Sequence, residues 1–372
     1  MNAKYVIIGN SAGAIGGVEG IRALDKEGDI IMVSSESYFT YSRPLISYLL
    51  CGETDMQRIK YRSDNFYEEN KAVLLSGRTA KKIDADIKCV YLDNGEKIEY
   101  QKLLYAAGSR PFIPPIAGLE QVEKKFTFMS LDDALALEQA VNNQTRVLIM
   151  GAGLIGLKCA EGLYGRAGSI TVVDLADRVL PSILDEQSAS IMLEHLKAKG
   201  INVRLNAGVK AFTSEGADIG SEIIPFDVLV VAVGVRPNVE LLKEAGADCE
   251  RGIIADDRSR TSLKDIYAAG DCTQCRDISC GKSKVLALLP NAYMQGETAG
   301  RNMAGGEAQF DKAVPMNSMG VLGLHMVTCG TYDGQSLVFN KDGTYKRLCV
   351  KDGLLAGYII TVSYTHLTLP TT

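Results

Sequence analysis

The 372-residue sequence contains no tryptophan, three histidines and no surplus of positive charge, with 40 Lys and Arg against 45 Asp and Glu. A net charge of -5 gives no basic patch to suggest a nucleic-acid backbone, so no nucleic-acid partner is expected. An acidic ligand has to be held locally, by helix N-termini or single arginines. No apolar run approaches the length of a membrane span; the best candidate, 228–235, is strand-sized, so no membrane is expected. Met1-Asn2-Ala3-Lys4 leads straight into apolar residues, without a charged n-region, a long h-region or a cleavage site. The expectation is a cytoplasmic protein whose nine cysteines are thiols.

What is present is one supersecondary unit, twice. A buried-type strand at 5–8 is followed by a glycine turn, a small-residue helix at about 12–26 and a second strand at 30–33. The pattern returns as Arg146–Met150, the turn Gly151-Ala-Gly153-Leu-Ile-Gly156, a helix to about residue 165 and a strand at 170–173. Strand, glycine turn, helix and strand within some thirty residues is the dinucleotide-binding βαβ pattern. The first glycine makes the tight turn, the second admits a pyrophosphate, and the third lets helix approach strand. The helix N-terminus supplies N–H donors and partial positive charge.

In the second unit Gly151, Gly153 and Gly156 are all in place, and Asp174 ends the second strand where a ribose 2′-hydroxyl would bind. A carboxylate there repels a 2′-phosphate and favours NADH over NADPH. Arg178, four residues on, is read as a surface arginine. In the first unit Gly9 is followed by Ser11 and Ala14 at the second and third glycine positions, with Gly13 beside them and Glu36 as the nearest carboxylate. Taken alone, that turn leaves an ordinary βαβ connection equally open.

Further segments add a resemblance. Leu103-Leu-Tyr-Ala-Ala-Gly108-Ser-Arg-Pro111 and Val230-Val-Ala-Val-Gly234-Val-Arg-Pro-Asn238 resemble the two domain-crossing motifs of the FAD-dependent pyridine nucleotide-disulfide oxidoreductases. Thr261-Ser-Leu-Lys-Asp-Ile-Tyr-Ala-Ala-Gly270-Asp271 is similar to their second flavin motif, in which the aspartate bonds the ribityl chain. Pro290-Asn-Ala-Tyr-Met-Gln-Gly296 resembles the helix start beside the flavin, and Val314-Pro-Met-Asn-Ser318 the entry to the C-terminal interface domain. The resemblance implies an α/β protein with two Rossmann-like three-layer domains, the NAD domain inserted in a discontinuous FAD domain, plus a truncated α+β interface domain. The expected boundaries are 1–110 and 236–308 for FAD, 111–235 for NAD and 309–361 for the interface domain.

By the same resemblance FAD is held by Gly9, Ser11, Gly13, Ala14, Glu36, Gly270 and Asp271 and NAD by Gly151, Gly153, Gly156 and Asp174, with Ala107, Gly108, Arg110 and Gly234 of the domain-crossing motifs also expected to bind cofactor. Glu161 matches the glutamate that lies near nicotinamide and flavin; from the residues alone it is equally a helix-surface group. The cofactors carry the hydride chemistry and the protein aligns them.

Which acceptor follows is the open question. No Cys-x4-Cys pair follows the first unit, and Arg43-Pro44 falls where single-cysteine members place Cys-Gly, with Cys51 two helical turns later. Tyr-x-Arg-Pro-Leu resembles rubredoxin reductases and nitrite reductase flavoprotein regions, which use flavin alone. That implies a small redox protein, of rubredoxin or ferredoxin type, as partner. Oxygen, peroxide or a coenzyme A disulfide reduced through Cys51, and a non-catalytic flavin/NADH redox sensor, stay open, as does monomer against homodimer.

Cys272-x-x-Cys275, with Cys280 nearby, has no fourth ligand close in sequence and is read as thiols, with no metal expected. His195, on a helix read at 185–199, is expected at the surface or as a cap, while His325 faces the flavin or a dimer partner. The string at 362–372 resembles a translated transposon-end adapter from shotgun sequencing. It is expected to be foreign, which would truncate the natural chain near Thr361 and strip His366 of functional meaning.

Overall fold

The computed structural model describes residues 1–341 and 343–363; of the adapter-like string, residues 364–372, His366 included, lie outside them. The chain divides into two compact units. One gathers Met1–Ser42, Lys60–Arg110 and Pro237–Pro315; the other gathers Arg43–Ile59, Pro111–Arg236 and the chain from Met316 onward. Among the described residues no helix is long and apolar enough to cross a membrane.

The first unit is built on a parallel sheet. Its strands lie in the order Ala72–Ser76, Ile30–Ser34, Asn2–Ile8, Lys97–Tyr105 and Ile266–Ala268. Every residue of Ile30–Ser34 is buried, as covering on both faces requires. An antiparallel pair, Ala80–Asp84 and Cys89–Leu92, extends the sheet along Lys97–Tyr105.

On this sheet lie two helices, Ala12–Leu24 and Leu289–Met303, that meet backbone to backbone. A Cβ on Gly296 would stand 1.9 Å from the Gly13 carbonyl oxygen, one on Gly300 2.1 Å from that of Gly17, and one on Gly16 2.3 Å from that of Tyr293. No side chain fits between them. A polar knot closes the contact: Arg62 donates to both Glu19 oxygens at 2.7 and 3.1 Å, and the Tyr293 hydroxyl donates to Glu19 at 2.5 Å. Burial would raise the Glu19 carboxyl, but these hydrogen bonds outweigh it and hold its pKa below the usual range.

The second unit carries a fully parallel sheet in the order Asn202–Arg204, Ser169–Val173, Arg146–Met150, Val228–Val231 and Lys125–Phe126. Its glycine-turn helix, Leu154–Leu163, packs on the short helix Ile46–Leu50. Gly162 makes room: a Cβ there would lie 3.1 Å from both the Leu50 side chain and the Ser47 carbonyl. This packing groups residues 43–59 with the second unit, whereas the motif reading kept 1–110 together.

A five-stranded antiparallel sheet completes the unit. Its order is Met316–Val321, Leu324–Gly330, Leu354–Ser363, Thr344–Lys351 and Gln335–Lys341. The helix expected at 185–199 runs Glu186–Ala198, and its N-cap Asp185 ties this sheet down. Asp185 accepts from the Ser188 N–H at 3.0 Å, the Tyr345 hydroxyl at 2.5 Å and Arg347 at 3.1 Å.

Two predictions follow from these contacts. Burial would raise the Asp185 carboxyl, but its Ser188, Tyr345 and Arg347 hydrogen bonds together lower its pKa. A lowered carboxylate pKa contributes stability above the ordinary aspartate range that is lost as pH falls through the folded value. Asp185→Asn keeps the cap but not the charge, so it should cost about 1–3 kcal/mol at neutral pH. Denaturant midpoints of the two proteins should converge below about pH 4; a gap independent of pH refutes the pairing. Gly296→Ala should cost about 1–3 kcal/mol by forcing the helices apart, seen as a lower thermal midpoint.

Candidate functional site

Each unit places one glycine turn between a buried strand and a helix N-terminus. In the first unit, Gly9 stands at φ +129°, and a Cβ there would lie 2.3 Å from the Ala106 carbonyl oxygen. Only glycine fits. Ser11 is the extended N-cap of helix Ala12–Leu24, and its side chain bonds no cap amide, which leaves first-turn N–H groups for an anion.

Gly13 backs onto Ala269 and Ala292, with an added Cβ at 3.6 and 3.4 Å, while the Gly270 N–H donates to Gln295 Oε1 at 2.8 Å. Gly9, Ser11, Gly13, Ala14, Gly270 and Asp271 therefore gather around one turn. Asp271 accepts from Ser109 Oγ at 3.2 Å, and Glu36 accepts from the Tyr41 hydroxyl at 2.5 Å. Ala107 and Gly108 offer their carbonyls to Asn238, at 2.8 and 3.0 Å. Arg110 donates to Glu240 at 2.6 and 3.0 Å and to Asn238 Oδ1 at 2.8 Å.

Sequence reasoning missed a second layer. Asn10 accepts from the Tyr67 hydroxyl at 2.8 Å, which itself accepts from the Thr40 N–H at 3.1 Å. Thr40 Oγ1 is buried and has no partner among the described residues. A buried, unmet hydroxyl joined to the glycine turn fits a polar ligand such as FAD seated there. Apart from Asn10 following Gly9, nothing in the sequence pointed to this group.

In the second unit Gly151 stands at φ +111°, and an added Cβ would lie 2.2 Å from the Ala232 carbonyl oxygen. Gly153, the helix N-cap, has no heavy atom within 4 Å of an added Cβ, so its face is open to a pyrophosphate. Gly156 packs against the Gly151 carbonyl, at 1.9 Å from an added Cβ. Asp174 accepts the Ala152 N–H at 2.6 Å and the Ala176 N–H at 2.8 Å, which fixes its carboxylate beside the turn. These donors and this opening fit NAD. Arg178 pairs with Asp177 at 3.3 Å and lines a cavity of about 300 Å³ with Asp177, Val179, Glu186 and Ser190.

Arg43 donates to the Met129 carbonyl at 3.0 Å, and Pro44 follows it in the single turn Arg43–Leu45 that leads into helix Ile46–Leu50. Cys51 sits at that helix's C-terminal end, with Sγ 3.4 Å from the Tyr48 carbonyl; burial pushes its pKa up. Glu161 is ion-paired with Lys158, and its Oε1 accepts the Leu322 N–H at 2.8 Å. Cys272 is buried on the Ala269 carbonyl, its pKa pushed up to about 12, and burial raises Cys275 to about 11. Neither thiol is poised as a thiolate. Among the described residues no three of His, Cys, Asp and Glu gather as a metal site.

Comparison with known proteins gives concordant matches. The family described as pyridine nucleotide-disulphide oxidoreductase matches residues 3–296. The epsilon subunit of NADH-dependent phenylglyoxylate dehydrogenase from Aromatoleum evansii is 31% identical over 96% of this chain and 87% of its own. An NADH oxidase from Methanocaldococcus jannaschii is 32% identical over 82% of this chain and 71% of its own. The NADH-rubredoxin oxidoreductase of Clostridium acetobutylicum is 29% identical over 88% of this chain and 82% of its own. Its crystal structure superposes with a TM-score of 0.82, at 25% identity, over 97% of this chain and 92% of that one.

Gly151→Ala should weaken NADH-driven flavin reduction roughly a hundredfold, because a displaced turn misplaces the nucleotide. Its FAD content, read from the visible spectrum, should stay at the parent level; joint loss of both would mean the two turns are not separate sites.

Proposed function

The chain belongs to the pyridine nucleotide-disulphide oxidoreductase family, and we propose that within it the protein passes electrons from NADH to a small redox protein of rubredoxin or ferredoxin type. It is an NAD(P)H-dependent flavoprotein oxidoreductase using FAD and NAD. Bound FAD would supply the hydride acceptor for NADH and the one-electron donor for the acceptor protein.

The chain's own residues supply alignment. The open N-terminus at Gly153 takes the nucleotide pyrophosphate, and Asp174 takes the adenosine ribose and disfavours a 2′-phosphate. The uncapped turn at Gly9, Ser11 and Gly13 holds the flavin pyrophosphate, Glu36 its ribose and Asp271 its ribityl chain. Gly234 borders the nucleotide, while Arg43 and Pro44 occupy the chain position where single-cysteine members carry their thiol. Glu161 is the acidic group on the nicotinamide side.

The observation that carries the choice of acceptor is Cys51. Its thiol is held by a carbonyl at a helix C-terminus, a place that disfavours a thiolate, and burial raises its pKa further. A protein without a thiol relay hands its electrons straight from flavin to the acceptor. The rubredoxin-reducing relative supports the same reading, and the NADH oxidase relative makes oxygen the competing acceptor to measure.

Anaerobic titration of the FAD-loaded protein should bleach the flavin fully at one equivalent of NADH. No long-wavelength thiolate–flavin band should appear, and Cys51→Ser should keep parental turnover. Rubredoxin or ferredoxin should then be reduced faster than oxygen. A second equivalent consumed, or a charge-transfer band abolished by Cys51→Ser, would overturn the flavin-only reading.

A further inference from the structure

The hairpin joining Met316–Val321 to Leu324–Gly330 turns on two residues, with Val321 paired to Leu324 and Leu322-Gly323 between them. Both turn residues have positive φ, Leu322 at +50° and Gly323 at +91°. Glycine takes that conformation freely; a leucine does not, and two-residue turns of this kind ordinarily carry Asn or Asp at the first position. In such a turn the first residue's N–H and C=O point away from the strand ladder and need partners elsewhere.

Here both are taken by side chains from the nucleotide-binding half of the unit. The Leu322 N–H donates to Glu161 Oε1 at 2.8 Å, from helix Leu154–Leu163. The Leu322 carbonyl lies 3.1 Å from His195 Nε2, on helix Glu186–Ala198. A carbonyl only accepts, so Nε2 carries the proton. Lys158 adds a third attachment: it pairs with Glu161, donates to the Gly320 carbonyl at 3.3 Å, and places its ammonium 4.2 Å from the centre of the Tyr48 ring.

We propose that His195 is a positioning residue for Glu161, acting through the Leu322 turn. Glu161 is largely buried, its side chain 11% exposed, so the orientation of its carboxylate depends on the donors it is given. One of them is an amide at a turn whose sequence does not favour the conformation it holds. His195 fixes the other side of that residue, so losing its hydrogen bond frees the turn and withdraws the Leu322 N–H from Glu161. The catalytic consequence rests on the reading that Glu161 faces the nicotinamide.

The test uses the FAD-loaded full chain and two readouts. Hydrogen–deuterium exchange of the 321–324 turn, measured before NADH is added, should quicken roughly three- to tenfold in His195→Leu, the worth of one neutral hydrogen bond. His195→Gln, whose amide can still donate to the carbonyl, should restore exchange to near parental. If His195→Leu fails to fold, His195→Asn, too short to reach Leu322, serves in its place. In stopped flow, His195→Leu should slow NADH-driven flavin reduction by a similar factor, non-additively with Glu161→Gln, while His195→Gln should stay near parental. Unchanged exchange in His195→Leu overturns the proposal. Faster exchange with Glu161→Gln leaving flavin reduction untouched would confirm the mechanical link and refute the role given to Glu161.

Discussion

The first unit depends on two backbones touching. Ala12–Leu24 and Leu289–Met303 lie close enough that carbonyl oxygens of one stand where β-carbons of the other would be. That approach places Gly13, Gly270 and Ala292 together, and with them two chain segments far apart in sequence. Had either helix carried ordinary side chains at Gly13, Gly16, Gly296 or Gly300, the pair would stand several ångströms further apart. The first glycine turn would then face solvent instead of the Gly270-Asp271 loop. The close contact forfeits side-chain burial and is stabilised by dispersion along the backbone and by the Glu19–Arg62–Tyr293 knot at its side.

The second unit is held by charge. Asp185 and Glu161 are mostly buried carboxylates, and each turns one oxygen to the C-terminal sheet: Asp185 Oδ2 to Tyr345 and Arg347, Glu161 Oε1 to the Leu322 turn. Buried carboxylates are costly unless fully met, so removing one partner from such a link costs more than breaking an exposed pair. The sheet's inner face adds its own apolar core, with Met326, Tyr345, Cys349 and Ile359 buried.

Both glycine turns, their flanking strands and the helix after Asp185 were legible from periodicity and spacing, because they answer to local rules. Gly151 makes a turn at positive φ, Gly153 has open space beside it and Gly156 lets helix approach strand. What stayed invisible was contact across long separations. Asn238 reaching Ala107 and Gly108, Tyr67 linking Asn10 to Thr40, and Glu161 holding an amide 161 residues away leave no periodic trace. Arg110 is a further case. Its motif gives no sign of Glu240, which accepts from it through both carboxylate oxygens.

The helix pair also sets a timetable. Ala12–Leu24 leaves the ribosome early, but the surface it must touch, Leu289–Met303, is made some 265 residues later. At cellular synthesis speeds the wait is on the order of ten to fifty seconds. Throughout it the glycine stripe has no mate, and the flat small-residue face it forms buries little on its own. The 111–236 stretch has no such delay, since its parallel strands and glycine-turn helix are contiguous in sequence. The sheet of the 111–236 stretch can thus close during synthesis, whereas the sheet of the first unit waits for Leu289–Met303, the last helix to reach it.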